Sequence, residues 1–200
     1  MIRNVTRGSG LLEGYLSKLR MKMADYLIPD TLRTGRIVDV GCGSYPFFLL
    51  NTVFQEKYGI DKVGKDITDD SDGKKIHISK FNFENEGTLP YQDNFADIVT
   101  LLAVIEHIDP ERVLNILREI KRILKNDGML IITTPAAWTD SLLRLLAKFN
   151  IVSKKEINEH KDVYTHSKIQ TLLLQAEFRN DHIRCGYFEL YMNIWATAKK

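Results

Sequence analysis

The chain has 200 residues, 44% of them hydrophobic, with 28 Lys and Arg against 26 Asp and Glu, a size and apolar content that suit one domain around one substantial core. The net charge of +2 lacks the electrostatic footprint of a nucleic-acid binder, so no nucleic-acid partner is expected. Two cysteines outside any CxxC or Cys/His spacing rule out a disulfide framework, and no run of eighteen uncharged apolar residues occurs, so a cytoplasmic protein without a transmembrane segment is expected.

Residues 1–30 read as a helical cap. Leu11, Leu12, Tyr15, Leu16, Leu19, Met23 and Leu27 recur at helical spacing until Pro29 ends the run. Arg36 to Val40 is a short buried strand that stops at Gly41-Cys42-Gly43, and Phe47 to Val53 begins a helix. A second strand runs from Glu56 to Ile60 and ends at Asp61, and Lys75 to Phe83 alternates as a third; the acidic stretch between them, Gly64 to Gly73, has no clear pattern. Asp97 to Leu102 is apolar on consecutive positions, as in a central strand covered on both faces. Asp109 then caps a helix whose first residue is Pro110 and whose core stripe is Val113, Leu114, Leu117, Ile120 and Leu124. Asn126-Asp127-Gly128 stops it, Met129 to Thr134 is the fifth strand, Trp138 to Phe149 has helical periodicity, and Ser167 caps a helix that reaches Ala176. Two last strands, His182 to Tyr187 and Glu189 to Ala198, are separated by so little chain that they form an antiparallel hairpin. Strands alternating with helices imply an α/β, doubly wound sheet with helices on both faces, and the hairpin makes it mixed.

A strand-to-helix turn holding Gly41 and Gly43 lets a ligand approach the backbone and points amide groups at it. The dinucleotide fingerprint GxGxxG places its third glycine at Pro46, which cannot serve in helix packing, so an NAD-dependent oxidoreductase is disfavoured.

From Arg36 to Phe178 the sequence resembles the class I S-adenosylmethionine-dependent methyltransferases. Ile37-Val-Asp-Val-Gly-Cys-Gly43 is similar to their first signature, and Leu89-Pro-Tyr-Gln-Asp-Asn-Phe-Ala-Asp97 to the segment entering their fourth strand. Leu102-Ala-Val-Ile-Glu-His107, Asn126-Asp-Gly128 and Thr134-Pro135 follow in the family's order. The resemblance implies a Rossmann-like seven-strand mixed sheet with a terminal antiparallel hairpin. It implies S-adenosylmethionine as methyl donor, released as S-adenosylhomocysteine. Asp39, Gly41 and Gly43 would surround the donor's methionine part, and Asp61 would accept both ribose hydroxyls, for which a carboxylate has two oxygens. Asn82 and Phe83 would meet the adenine, and Leu102 and Ala103 would pass beneath the sulfonium. Relatives often carry one more glycine where this chain reads Ser44-Tyr-Pro-Phe47.

Methyl transfer from a sulfonium is an in-line displacement with an excellent leaving group, so alignment does much of the work. A base is needed only where the acceptor must lose a proton. Candidates are His107, His160, Tyr164 and His166, with His107 and His160 preferred for a direct acceptor role. The Glu106-His107 pair is similar to one in the ubiquinone-pathway O-methyltransferases, which hold a divalent ion with further carboxylates. Ala103 stands where those relatives have another Glu, which leaves a hard cation short of oxygens, so no required metal is expected.

Residues 138–166 are the expected substrate-covering insert. They pair Leu142, Leu143, Leu145, Leu146 and Phe149 with Lys148, Lys154 and Lys155. One reading lays this face on a membrane as a peripheral contact to a lipid- or glycan-linked acceptor; packing on the core or in a dimer is the favoured one. A base-modifying activity is disfavoured because Ala103-Val-Ile-Glu106 replaces the Asn/Asp-Pro-Pro-Tyr type of segment. The expectation is a small-molecule acceptor and a monomer or homodimer, with a donor-binding protein lacking catalysis as the main alternative.

Overall fold

The computed structural model describes residues 13–63, 66–69, 75–140, 142–143 and 157–200. The strands are β1 (Arg36–Val40), β2 (Glu56–Asp61), β3 (Ile67–Asp69), β4 (Lys75–Lys80), β5 (Ala96–Leu102), β6 (Leu124–Pro135), β7 (Ile183–Phe188) and β8 (Asn193–Lys199). Among the described residues these eight form one sheet in the order β3-β4-β2-β1-β5-β6-β8-β7. Pairing is parallel from β4 through β6 and antiparallel at β3 and in the closing β6-β8-β7 unit.

Alternation along the central strands assigns one set of side chains to each face of the sheet. Val38, Val40, Val99, Leu101, Leu130 and Ile132 pack against α4 (Pro110–Ile123) and α5 (His166–Gln175). Ile37, Ile98, Met129 and Ile131 pack against α1 (Glu13–Leu27) and α2 (Phe47–Asn51). The consecutive apolar residues seen in the sequence are therefore two interleaved faces, both buried, as expected when helices cover a parallel sheet from both sides.

Local chemistry explains the element ends. Asp109 accepts a hydrogen bond from Glu111 N (3.3 Å), and Pro110 gives α4 its fixed first φ. Thr165, not Ser167, caps α5, with Oγ1 accepting from Lys168 N at 3.2 Å. Several boundaries differ from expectation, among them the start of β6 at Leu124, ahead of Asn126-Asp127-Gly128 and the expected Met129. The sheet has eight strands and not seven, because β3 adds three exposed residues to the edge of β4 by backbone bonding, with no buried face to leave a pattern. The strand expected over Lys75 to Phe83 ends at Lys80, and Phe83 starts the one-turn helix α3 (Phe83–Glu86). The hairpin has a real loop, in which Glu189, Leu190 and Tyr191 all adopt left-handed φ of 52°, 55° and 67°. It reverses the chain without glycine, so no turn signature marks it.

No helix among the described residues is long and apolar enough to cross a membrane.

Candidate functional site

The carboxyl ends of β1, β2, β5 and β6 open onto one cleft of about 1180 Å³ including its mouth, room for a nucleoside-sized ligand beside a second small molecule. Its base is the turn after β1. Gly41 and Gly43 have φ of +86° and +76°, values that L side chains rarely adopt. A Cβ on Gly41 would lie 2.5 Å from Val104 Cγ2, so the turn requires glycine for space as well as for backbone. Gly41 N and Cys42 N donate to Ile60 O at 2.8 and 3.2 Å, which ties the turn to the end of β2. The following helix α2 has only five residues and begins after Pro46, so the glycine backbone shapes this part of the site, with little help from a helix dipole.

Asp61 completes the same corner. It is 1% exposed, and its two oxygens accept from Gly43 N (2.8 Å) and Val63 N (2.9 Å). Both oxygens are thus held in place by backbone amides at the mouth of the cleft. Asp39 lies one layer deeper, 4% exposed, and accepts from Thr100 Oγ1 at 2.6 Å across the β1–β5 pairing. Burial pushes its carboxyl up to about 7, with a smaller push from the charge of Asp61 and against the lowering effect of the Thr100 bond.

At the end of β5 the chain turns sharply. Ala103 has φ of +55°, and its N–H donates to Thr133 O at 2.9 Å, so neighbouring structure holds an unfavourable backbone state where the cleft is deepest. A single turn, Ile105–His107, follows. Glu106 is 2% exposed and accepts from Thr134 Oγ1 at 3.0 Å. The rings of His107 and His160 meet edge to face with centroids 5.0 Å apart, and His160 Nδ1 lies 3.9 Å from Asp140 Oδ1. Glu106, His107 and His160 each offer a ligand atom, and these atoms all lie within 4.8 Å of one another.

The return leg of the insert is fixed by backbone bonds from Lys161 N to Glu106 O and from Ala137 N to Tyr164 O, both 2.8 Å. Tyr164 is fully buried and donates its hydroxyl to Ile105 O at 3.2 Å, and burial pushes its phenol above the usual range. It anchors the insert and is removed from the candidate bases. His166 is removed too, since it lies against Tyr187 with ring centroids 4.1 Å apart and does not line the cleft. Over the cleft, Leu16 of α1 and Leu143 pack against Ile157. Of the insert's expected helix, Ala137–Thr139, a single 3-10 turn, and the helical residues Asp140, Leu142 and Leu143 are described. Leu145, Leu146, Phe149, Lys148, Lys154 and Lys155, with Leu11 and Leu12 at the other end, lie outside the described residues.

Gly41, Gly43, Asp61, Phe83, Leu102, Ala103, His107 and His160 all line the cleft. Asp39 lines a smaller recess beneath Gly41 and Leu102, whereas Asn82 caps α3 and lines neither. Sequence reasoning missed Arg20, which lines both spaces, Glu189 from the hairpin loop and Asn193 at the start of β8. Helical spacing from Leu16 and Leu19 could have flagged Arg20 as facing the same side; nothing in the sequence marked the other two.

A family model described as "Methyltransferase domain" matches residues 11–183. An uncharacterized protein of Methanocaldococcus jannaschii is 31% identical over 169 residues, covering 75% of this chain and 70% of that one. A SAM-dependent methyltransferase from Archaeoglobus fulgidus superposes with a TM-score of 0.63 at 16% identity, over 93% of this chain and 98% of that one. One from Aquifex aeolicus gives 0.61 at 19% identity, over 92% of each.

Proposed function

The chain belongs to the methyltransferase-domain family, and from that premise we propose that its cleft transfers the methyl group of S-adenosylmethionine to a small-molecule acceptor held between the ends of β5 and β6 and the insert. The observation that carries this reading is the convergence of Gly41, Gly43 and Asp61 on the donor half of the cleft, joined there by Phe83, Leu102 and Ala103. A carboxylate, with two acceptor oxygens, suits the ribose diol. A backbone that comes close at the glycine turn suits the methionine part. Of the two residues expected at the adenine, Phe83 lines the cleft and takes the assignment, whereas Asn82 does not line it.

Charge supports a cationic donor. Asp39 sits beneath the turn and accepts from the Thr100 hydroxyl, so a positive ligand above it favours the ionised carboxylate that burial disfavours. The acceptor half is lined by His107, His160 and Asn193. We assign His107 and His160 as the acceptor-facing groups, able to take a proton where the acceptor carries one. Asp140 stands beside His160, with Oδ1 3.9 Å from Nδ1, so a charge gained on the ring would meet an acid. The helical cap and the insert act together as a cover, since Leu16 and Leu143 both meet Ile157. That inward packing of Leu143 supports core packing over membrane contact for this part of the insert, and absence of liposome co-sedimentation is the expected outcome.

Thermal unfolding with and without S-adenosylhomocysteine, S-adenosylmethionine and NAD tests the donor assignment. A ligand at a hundred times its dissociation constant adds about 2.7 kcal/mol, which for a chain of this size moves the midpoint by roughly 5–10 °C. Shifts with both adenosyl compounds and none with NAD are expected. No shift with either adenosyl compound would sink the reading. A protein that binds the donor but methylates nothing in a broad hydroxyl, amine and carboxylate panel would instead support the non-catalytic alternative.

A further inference from the structure

We propose that Glu106, His107 and His160 form a binding site for a borderline divalent transition ion, of the zinc, cobalt or nickel kind, at the acceptor end of the cleft. Two donors come from the turn after β5 and the third from the return leg of the insert. Their ligand atoms lie within 4.8 Å of one another. A tetrahedral shell with bonds of about 2.0 Å sets its ligand atoms about 3.3 Å apart, so an entering ion would draw the three side chains inward by about 1 Å.

The donor chemistry selects the ion. Two imidazoles and one carboxylate suit zinc and its neighbours, whereas magnesium and calcium require a shell of oxygens. Ala103 offers no side-chain oxygen, so a hard cation stays short of ligands here; the expectation of no required metal is what this proposal revises. That expectation weighed the residues next to β5 and had no means to count His160, which only the folded insert brings in.

Three surrounding contacts fit a ligand set. Glu106 is 2% exposed, and Thr134 Oγ1 holds one of its oxygens, which fixes the carboxylate. His107 Nδ1 is buried without a hydrogen-bond partner among the described residues, a state that costs free energy and that an electrophile relieves. His160 has the Asp140 carboxylate 3.9 Å from Nδ1, longer than a hydrogen bond, and an inward shift of the ring on metal binding would let the acid support it from behind. Three protein ligands leave the fourth position open. All three residues line the cleft, so an ion held there would acidify a water or an acceptor hydroxyl, in place of proton uptake by the two imidazoles.

The proposal stands apart from the donor assignment, and its readout is the metal itself. Protein stripped with a chelator is titrated with cobalt(II) and followed by visible absorption, with zinc stoichiometry from equilibrium dialysis. One equivalent per chain is expected, with the intense absorption of a low-coordinate site, undisturbed by millimolar magnesium. His160→Gln and His107→Gln should abolish it, and Asp140→Asn should weaken it by about 10–100-fold. The thermal shift with S-adenosylhomocysteine, measured on each variant, shows whether it is folded and tests the donor reading separately. Binding below one equivalent in the wild type, or unchanged binding in His160→Gln, would overturn the site.

Discussion

The two ends of the same sheet treat charge in opposite ways. At the amino end, Asp97 accepts from Arg36 N (2.8 Å) and pairs with Lys125 Nζ (2.7 Å), Arg36 pairs with Glu56 at 3.2 Å, and Arg122 joins Glu119 and Asp93 to the carbonyls of Leu89 and Tyr91. Packing there is so close that a Cβ on Gly35 would lie 2.1 Å from Asp97 Oδ2. At the carboxyl end the buried acids Asp39 and Glu106 bond to hydroxyls, and among the described residues neither has a cationic partner. Charges closed within the chain hold strands in register. Charges satisfied only by neutral donors are ready for a positive ligand, and the difference separates stability from function along each strand.

Substitutions at the two ends should therefore fail in different ways. The largest effect is expected at Asp61→Ala, which should remove the whole ligand-induced stabilisation of about 2.7 kcal/mol; a retained calorimetric shift with S-adenosylhomocysteine would take Asp61 out of the donor site. Next, Asp97→Ala should lower the unfolding free energy by about 2 kcal/mol, because it strands the Arg36 amide and the Lys125 ammonium, while the ligand shift stays intact. If that shift were lost as well, the division between the ends would not hold. Gly41→Ala should cost about 1–2 kcal/mol from its left-handed backbone alone, plus the contact with Val104. Adding Val104→Ala should recover the contact part in denaturant melts and leave the backbone part.

The smallest effect is a slope. Asp39 has a folded pKa of about 7, raised from 3.8, so the unfolded state loses this proton first as pH rises. Its contribution to stability is full below about pH 4, declines from there through about pH 7 and is then level. Asp39→Asn should flatten this fall in melting midpoints between pH 5 and 8. Donor binding to the wild type should release a proton near pH 6.5, more for the sulfonium than for its neutral product, as measured by calorimetry in buffers of different ionisation enthalpy.

Much of this was legible in the sequence because it is local. β1 was read to the residue, since five consecutive residues end at a glycine that forces a turn, and the Asp109-Pro110 start of α4 follows from capping chemistry alone. The donor corner was legible because its residues sit at strand ends, which chain order fixes. Elements held by long-range contacts were not. β3 is exposed on all three residues and exists through backbone pairing with β4. His160 and Asp140 come together only when the insert folds back, and Tyr164 proved to be an anchor because its hydroxyl finds Ile105 O, a partner that spacing cannot reveal.

Cys42 sits between the two glycines, yet it is 1% exposed, and a Cβ on Gly59 would lie 2.9 Å from its sulfur. The thiol points under the turn and away from the cleft. Alkylating reagents can reach it only when the turn lifts off β2, so its labelling rate is a clock for that opening. Cys185, whose thiol burial pushes upward, supplies a slow internal standard. A donor that clamps the turn should slow the first clock and leave the second running.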